Sequence, residues 1–334
     1  MVRMKPRLVV LDGHTLTRAQ PHAQAPQGEP TWESLASLVE LTVHPRIAGE
    51  KVIETLKEAS LVLTNKVVLS KETIQALPKL RYIGLLSTGV NVVDLDAARD
   101  RNIPVTNIPG YSTASVAQHV FALLLELTVH TASHGMAVRQ GQWASNPDFC
   151  FTVAPTLELA GKTLALVGMG KIGQQVAHVA HALGMKLATL DRAGSKPIVE
   201  TLNIATMDLD TLLAEADVVS LHCPLNAQTR HIINAQRLAR MKPGAFLINT
   251  GRGELIDEAA LAHALNQRQL AGAGLDVLSE EPPARDNPLI AAPRCLITPH
   301  IAWATAQARN RLMEIAVANV QAFLAGSPEN VVNA

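Results

Sequence analysis

The sequence predicts an α/β protein built on parallel sheets, and three observations predict it. A glycine-rich turn, Gly168-Met169-Gly170-Lys171-Ile172-Gly173, joins the apolar run Leu164 to Val167 to the helix-like stretch Gln174 to Ala180, and Asp191 ends the next apolar run. Short apolar runs alternate with helix-like segments through residues 8–106, and they do so again through residues 209–298. Such alternation is the pattern of helices layered on a parallel sheet.

In the first stretch Leu8 to Leu11, Leu41 to Val43, Leu61 to Leu63, Tyr82 to Leu85 and Pro104 to Thr106 read as strands. Lys51 to Ala59, Lys71 to Leu77 and Val92 to Asp100 carry charges spaced as on half-exposed helices. Gln20 to Pro30 gathers Pro, Gln, Ala and Gly and reads as an exposed excursion within this layer. After Pro109-Gly110, the periodic segment Ser112 to His130 predicts a helix of about five turns, with serine and threonine as candidate N-caps. Gly141 to Pro147 is irregular and aromatic, and Leu159 to Lys162 then turns into the strand before the glycines. Beyond them Val218 to His222, Ala245 to Asn249, Gly272 to Val277 and Leu296 to Thr298 read as strands, with Leu209 to Ala214 and Glu258 to Asn266 as helices. The two halves share a layer type and no sequence motif.

Composition narrows the function classes. With 334 residues the chain is long enough for two cores, and 48% apolar residues exclude general disorder. Basic and acidic residues balance at 29 each, and no long block of like charge offers a face to nucleic acid. Cys150, Cys223 and Cys295 stand far apart and show no C-x-x-C spacing, which fits a reducing cytoplasm and suggests neither a zinc set nor a disulfide framework. The N-terminal apolar run is too short for a signal peptide, and the longest one, near Val120 to Val129, is broken by Glu126 and too short for a membrane span. A soluble protein is expected.

The glycine turn predicts a dinucleotide site. The first glycine permits the tight turn, the second admits a pyrophosphate to the backbone N–H groups, and the third lets helix pack on strand. The helix N-terminus then faces the anion, and Asp191 stands about 20 residues on, where a ribose hydroxyl would be met.

Arg252 lies in Asn249-Thr250-Gly251-Arg252-Gly253-Glu254, just past a strand, where ligands sit in open α/β sheets. A guanidinium with glycines on either side can grip a carboxylate through two parallel hydrogen bonds, although an Arg-Gly pair taken alone also reads as a surface turn. Glu281 and His300 follow the next two strand ends, and a carboxylate bonded to imidazole fixes its tautomer and favours a proton donor. His130/His134 and His178/His181 have same-face helical spacing, but without a third ligand nearby they read as packing or exposed residues. A dinucleotide site, a carboxylate grip and an acid–base histidine together describe hydride transfer with a nicotinamide.

Seven ordered motifs run over nearly the whole length: Ser87 to Asp94, Tyr111 to His119, the glycine turn, His222-Cys223-Pro224-Leu225, the Arg252 segment, Asp276 to Pro282 and Pro299-His300. In them the chain resembles the NAD-dependent D-isomer-specific 2-hydroxyacid dehydrogenases. The resemblance implies Arg252, Glu281 and His300 as the catalytic set, and Ser87, Thr88, Gly89 and Val90 as holders of the substrate carboxylate. It implies Asp276 at the nicotinamide carboxamide and Asp191 at the adenosine ribose. It further places Gly168, Met169, Gly170, Lys171, Ile172, Gly173, Arg192, His222, Cys223, Pro224, Thr229, Thr250, Gly251 and Ala302 among the cofactor contacts. It implies two Rossmann-like or flavodoxin-like domains, residues 1–109 with 299–334 for substrate and an inserted 110–298 for NAD. A homodimer through His130 to Leu159 is implied as well. Gln118 stands where many members have Glu, outside the catalytic set. Arg192 could receive a 2′-phosphate, but Asp191 beside it would repel a phosphate dianion, so NADH is expected over NADPH.

The stretch His300-Ile301-Ala302-Trp303-Ala304 is similar to that of glycerate dehydrogenases, also called hydroxypyruvate reductases. Hydroxypyruvate is therefore the expected substrate and glyoxylate a second one, with Trp303 either walling the pocket or packing at the start of a helix. The alternatives are the phosphoglycerate, D-lactate and phenylpyruvate types and, in another class, the dinucleotide-sensing corepressors that resemble the same family.

Overall fold

The computed structural model describes residues 5–16, 28–190 and 196–334. Asp191, Arg192 and most of the Gln20 to Pro30 excursion lie outside the described residues. The chain forms two compact units, Met1–Ser112 with Ala304–Ala334, and Thr113–Trp303.

The smaller unit holds β1 (Arg7–Val10), β2 (Glu40–Val43), β3 (Leu61–Thr64), β4 (Tyr82–Leu85) and β5 (Val105–Thr106), in the order β2-β1-β3-β4-β5. Every pairing among them is parallel, so each connection must cross a face of the sheet. The helices are α1 (Glu33–Leu38), α2 (Val52–Leu56), α3 (Lys71–Gln75) and α4 (Leu95–Asp100). Val52, Leu56, Ile74, Ala97 and Ala98 from three of them bury against Val9, Val62, Ile83 and Val105. The last residues of the chain close the β5 edge: Val332 N–H donates to Val105 O at 2.8 Å, and the Asn333 amide joins Val105 N–H and Ile103 O. An edge strand is thereby covered.

The larger unit begins with α5 (Thr113–Val129) and α6 (Thr131–Arg139). The helix expected over Ser112 to His130 is α5, which ends as predicted because His130 takes φ 57°, and the Glu126 carboxylate caps a further helix that was not expected, α6, through Thr131 Oγ1 and Ala132 N–H. There follow β6 (Thr163–Val167), α7 (Lys171–Ala182), β7 (Lys186–Leu190), α8 (Lys196–Thr201), β8 (Ala205–Met207), α9 (Leu209–Glu215) and β9 (Val218–Leu221). Next come α10 (Ala235–Leu238), β10 (Phe246–Asn249), α11 (Glu258–Asn266), β11 (Gly272–Leu275) and β12 (Cys295–Ile297), and α12 (Ala306–Leu324) returns to the smaller unit. The sheet runs β12-β11-β10-β9-β6-β7-β8. Strand order reverses beside β6, between it and β9, and that is where a doubly wound sheet opens a crevice for a ligand.

The unit boundary falls at Trp303, five residues later than the predicted change at 298. The cause is local: His300 N–H donates to Asp276 O at 2.8 Å, and Ile301 and Ala302 N–H groups donate to the Asp276 carboxylate. These bonds keep residues 300–302 on the larger unit.

Candidate active site

The glycine turn joins β6 to α7 as the spacing predicts, and each glycine has its own reason. Gly168 has φ 114°, and a Cβ there would lie 2.5 Å from Cys223 N. A Cβ at Gly173 would lie 2.1 Å from Gly168 O, so the helix can approach the strand only without one. Gly170, the N-cap of α7, would meet nothing within 4 Å. Two glycines are thus consumed by packing, and the third leaves the helix N-terminus open to an anion. No acidic residue occupies the first turn of α7 to compete for that position. Met169 is held by its carbonyl, which accepts from Gln174 Nε2 at 3.0 Å, while Lys171 and Ile172 open the helix.

The wall opposite is the end of β9. His222 is bonded through Nε2 to Ser220 Oγ at 2.9 Å, and burial pushes its pKa down to about 4, so the imidazole is neutral at pH 7. Thr229 is buried and its hydroxyl donates to Pro224 O at 2.6 Å, bracing the Cys223-Pro224 turn. At the end of β10, Thr250 Oγ1 is buried and has no hydrogen-bond partner among the described residues. An open glycine turn, a helix N-terminus and an orphaned hydroxyl along neighbouring strand ends fit a dinucleotide.

Three adjacent strands carry the other candidate site residues. In register, Asn249 of β10 pairs with Leu275 of β11, which pairs with Ile297 of β12. Strand neighbours lie about 4.8 Å apart, so the loops carrying Arg252, Glu281 and His300 start side by side. The Arg252 loop is clamped by Asn249, fully buried, whose Oδ1 accepts from Gly251 N–H at 3.0 Å and whose Nδ2 donates to Arg252 O at 2.8 Å. Gly253 brings that loop against the next one: a Cβ there would lie 2.0 Å from Leu278 C and 2.2 Å from Ser279 N. The half-buried Arg252 guanidinium gives one N–H to Gly251 O at 2.7 Å and makes no ion pair among the described residues, which leaves most of its fork for an anion.

His300 Nδ1 and Glu281 Oε2 are 2.6 Å apart, a charge-assisted pair whose side chains remain 25% and 30% exposed. The pair orients Nε2 as the free ring nitrogen. Trp303 Nε1 donates to His300 O at 2.9 Å, so its indole is fixed beside the histidine. The Glu281 loop is strapped from α11, where Glu258 accepts from Ser279 N–H and from Asn287 Nδ2.

Asp276 is 1% exposed. Burial pushes its carboxyl up, but the His119 ring 3.4 Å away and hydrogen bonds from Thr298, Ala302 and Ile301 outweigh it and hold the pKa below the ordinary value. The carboxylate is therefore ionised, and it binds the residues that follow His300 as well as offering a remaining lone pair. Sequence reasoning named Asp276 and missed Asn249, Thr298 and His119 around it, and Glu258 behind the Glu281 loop. Ser87 to Val90 belong to the smaller unit. Ser87 Oγ donates to Gly89 O at 2.7 Å and Thr88 Oγ1 to Ile108 O at 2.8 Å, so both hydroxyls serve the loop itself. The N–H groups of Gly89 and Val90 have no partner among the described residues. His134, from one of the helical histidine pairs, has Nδ1 bonded to His130 O at 2.8 Å and accepts from Val153 N–H at Nε2, which accounts for both nitrogens by packing.

Residues 121–302 match the family described as D-isomer specific 2-hydroxyacid dehydrogenase, NAD binding domain. The chain is 45% identical over 330 residues to a hydroxypyruvate reductase of Blautia hydrogenotrophica, covering 98% of this chain and 99% of the relative. It is 40% identical over 287 residues to a glycerate dehydrogenase of Methylorubrum extorquens, covering 85% and 89%. Among solved structures, the TT0316 protein from Thermus thermophilus superposes with a TM-score of 0.84 at 37% identity, covering 98% of this chain and 99% of that one. With the glycine turn, the arginine loop and the His300–Glu281 pair in place, the chain belongs to the D-isomer specific 2-hydroxyacid dehydrogenases.

Proposed function

We propose that this protein reduces hydroxypyruvate to D-glycerate with NADH, and takes glyoxylate as a second substrate. The observation that carries the reading is the 2.6 Å bond between His300 Nδ1 and Glu281, close in the sheet to an arginine with no ion pair among the described residues. Arg252 binds the carboxylate of the 2-oxo acid and draws charge toward its carbonyl oxygen. The bound nicotinamide supplies the hydride. His300, positively charged when its Nε2 also carries a proton, donates that proton to the carbonyl oxygen, and Glu281 stabilises the charged ring and holds its tautomer. Ser87, Thr88, Gly89 and Val90 are assigned to the carboxylate through their backbone, a reading supported by the unpartnered N–H groups of Gly89 and Val90. Trp303, tied to the His300 carbonyl, is assigned to the substrate side-chain face, where a small hydroxymethyl group suits a flat wall.

The dinucleotide contacts are assigned to Gly168 to Gly173, His222 to Pro224, Thr229, Thr250, Gly251, Asp276 and Ala302. Asp191 is assigned to the adenosine ribose, and its charge beside Arg192 supports NADH over NADPH. The hydroxypyruvate reductase and glycerate dehydrogenase relatives, at 45% and 40% identity, support the substrate.

The protein is proposed to work as a homodimer through α6 and the residues after it. Phe149 is 88% exposed, Trp143 52% and Met136 51%, an apolar concentration that monomeric surfaces avoid. No described helix is long and apolar enough to cross a membrane. Cys150, Cys223 and Cys295 form no disulfide, which supports a reducing, cytoplasmic setting.

Oxidation of NADH and of NADPH, followed at 340 nm against hydroxypyruvate, glyoxylate, pyruvate, phenylpyruvate and 3-phosphohydroxypyruvate, tests the proposal. The expected order puts hydroxypyruvate first and NADH ahead of NADPH. Faster turnover of phenylpyruvate or of the phosphorylated acid refutes the substrate assignment, and an NADPH preference refutes the role given to Asp191.

A further inference from the structure

His119 has no part in the chemistry above, yet the fold ties it to the catalytic loop. His119, Leu123 and Leu127 follow one another at four-residue spacing and so form one stripe along α5. Gly272, Gly274 and Asp276 follow at two-residue spacing along and just past β11, and so face one side of the sheet. A Cβ on Gly272 would lie 3.1 Å from Leu127 Cδ2, and one on Gly274 would lie 2.9 Å from Leu123 Cβ. The helix therefore rests directly on strand backbone. Four residues of helix advance about 6 Å and two of strand about 6.6 Å. The steps match, and the next pair in the series is His119 with Asp276. Its Nε2 is 3.4 Å from Asp276 Oδ1 and 2.8 Å from Thr298 Oγ1.

The direction of each bond follows from the donors available. An ionised carboxylate only accepts, so the single Thr298 hydroxyl proton goes to Asp276 Oδ1, at 2.6 Å. Thr298 Oγ1 must then accept from His119, whose Nε2 carries a proton. Asp276 also accepts from Ile301 N–H at Oδ1, 2.9 Å, and from Ala302 N–H at Oδ2, 2.8 Å, and its backbone carbonyl accepts from His300 N–H at 2.8 Å. His300 itself has φ 54°, a conformation that a residue with a Cβ keeps only when its surroundings hold it.

We propose that His119 is a positioning residue for His300, acting through Thr298 and Asp276 to fix the backbone that carries the proton-donating imidazole. The inference rests on the reading of His300 as proton donor. Its cost of failure is geometric, since a displacement of about 1 Å in an acting group can lower a rate about 100-fold.

The test is a mutant cycle in the full-length protein, read with hydroxypyruvate and NADH. His119→Phe keeps a ring and removes the Nε2–H, and Thr298→Val keeps the shape and removes the hydroxyl. Each is expected to lower kcat at least about tenfold while KM for hydroxypyruvate stays within about threefold, because Arg252 is on another loop. The two together should be no worse than Thr298→Val alone, and Thr298→Ser should recover most of the loss. In a His300→Gln background His119→Phe should cost less than about twofold. An equal fold-loss in the wild-type and His300→Gln backgrounds, or a parallel fall in substrate affinity and thermal midpoint with no recovery by Thr298→Ser, overturns the positioning role. Near-normal turnover by His300→Gln itself would instead refute the proton-donor reading. Should His119→Phe fail to fold, the Thr298→Val and Thr298→Ser pair decides the matter alone.

Discussion

The two units use the same layer of parallel strands and helices, but they spend their polar groups differently at the strand ends. In the smaller unit Asp12, 1% exposed after β1, gives its carboxylate to the N–H groups of Asn65, Lys66 and Val67 after β3, and the Ser87 and Thr88 hydroxyls turn back onto their own loop. Side chains there build the loops, and the backbone N–H groups of Gly89 and Val90 are the donors proposed to meet the substrate. In the larger unit Asn249 and Asp276 do the building, and Arg252, Glu281 and His300 are the side chains proposed for the chemistry. A proton donor needs a buried scaffold behind it, whereas a carboxylate can be held by whichever N–H groups a well-braced loop presents.

Substitutions at the two sets of strand ends should therefore fail in different ways, and the largest effect belongs to the larger unit. His300→Gln is expected to lower kcat about 1000-fold, within the range for loss of a general acid, with little change in the thermal midpoint; steady-state kinetics beside a melting curve check it. Arg252→Ala removes charge-assisted bonds to the substrate and should raise KM for hydroxypyruvate on the order of 10- to 100-fold. NADH binding, followed by quenching of protein fluorescence, should stay nearly constant. An equal loss of substrate and cofactor affinity would mean that the loop, and with it the contrast between scaffold and chemistry, had been misread.

In the smaller unit Asp12→Ala should act on stability first. Stranding buried N–H donors costs about 2–3 kcal/mol, which urea unfolding would show as a lowered midpoint, while kcat of the folded enzyme should change less than about fivefold. A reversed outcome, intact stability with lost turnover, would put Asp12 in the chemistry.

A smaller effect is tied to pH. His222 is held neutral in the folded protein, its pKa pushed from 6.5 down to about 4 by burial, whereas the unfolded chain takes up that proton near 6.5. Stability from this residue is thus complete above pH 6.5 and falls as pH drops from 6.5 toward 4, by at most about 1.4 kcal/mol per pH unit. Urea midpoints at about pH 7 and about pH 5, on either side of the ordinary histidine pKa, should diverge more in the wild type than in His222→Asn.

The parts of the site that rest on local rules were legible from residue order alone. Gly168, Gly170 and Gly173 stand out because a tight turn, an open approach and a close helix each require glycine, and the strand before and the helix after them fell where expected. Arg252, Glu281 and His300 were legible as polar residues just past apolar strands. The helix α6 was not, because its start depends on Glu126 reaching forward to cap Thr131, and Gly135 weakens its propensity. His119 and Thr298 were invisible for a related reason. Their role arises only when α5 settles on Gly272 and Gly274, a tertiary contact that neither segment signals alone. Asp191, the residue proposed to set the cofactor preference, lies outside the described residues.

The decisive measurement is the identity and handedness of the product when the protein is supplied with hydroxypyruvate and NADH. One D-glycerate should form for each NADH consumed. L-glycerate, or no product despite tight NADH binding, would overturn the proposed hydride and proton transfer.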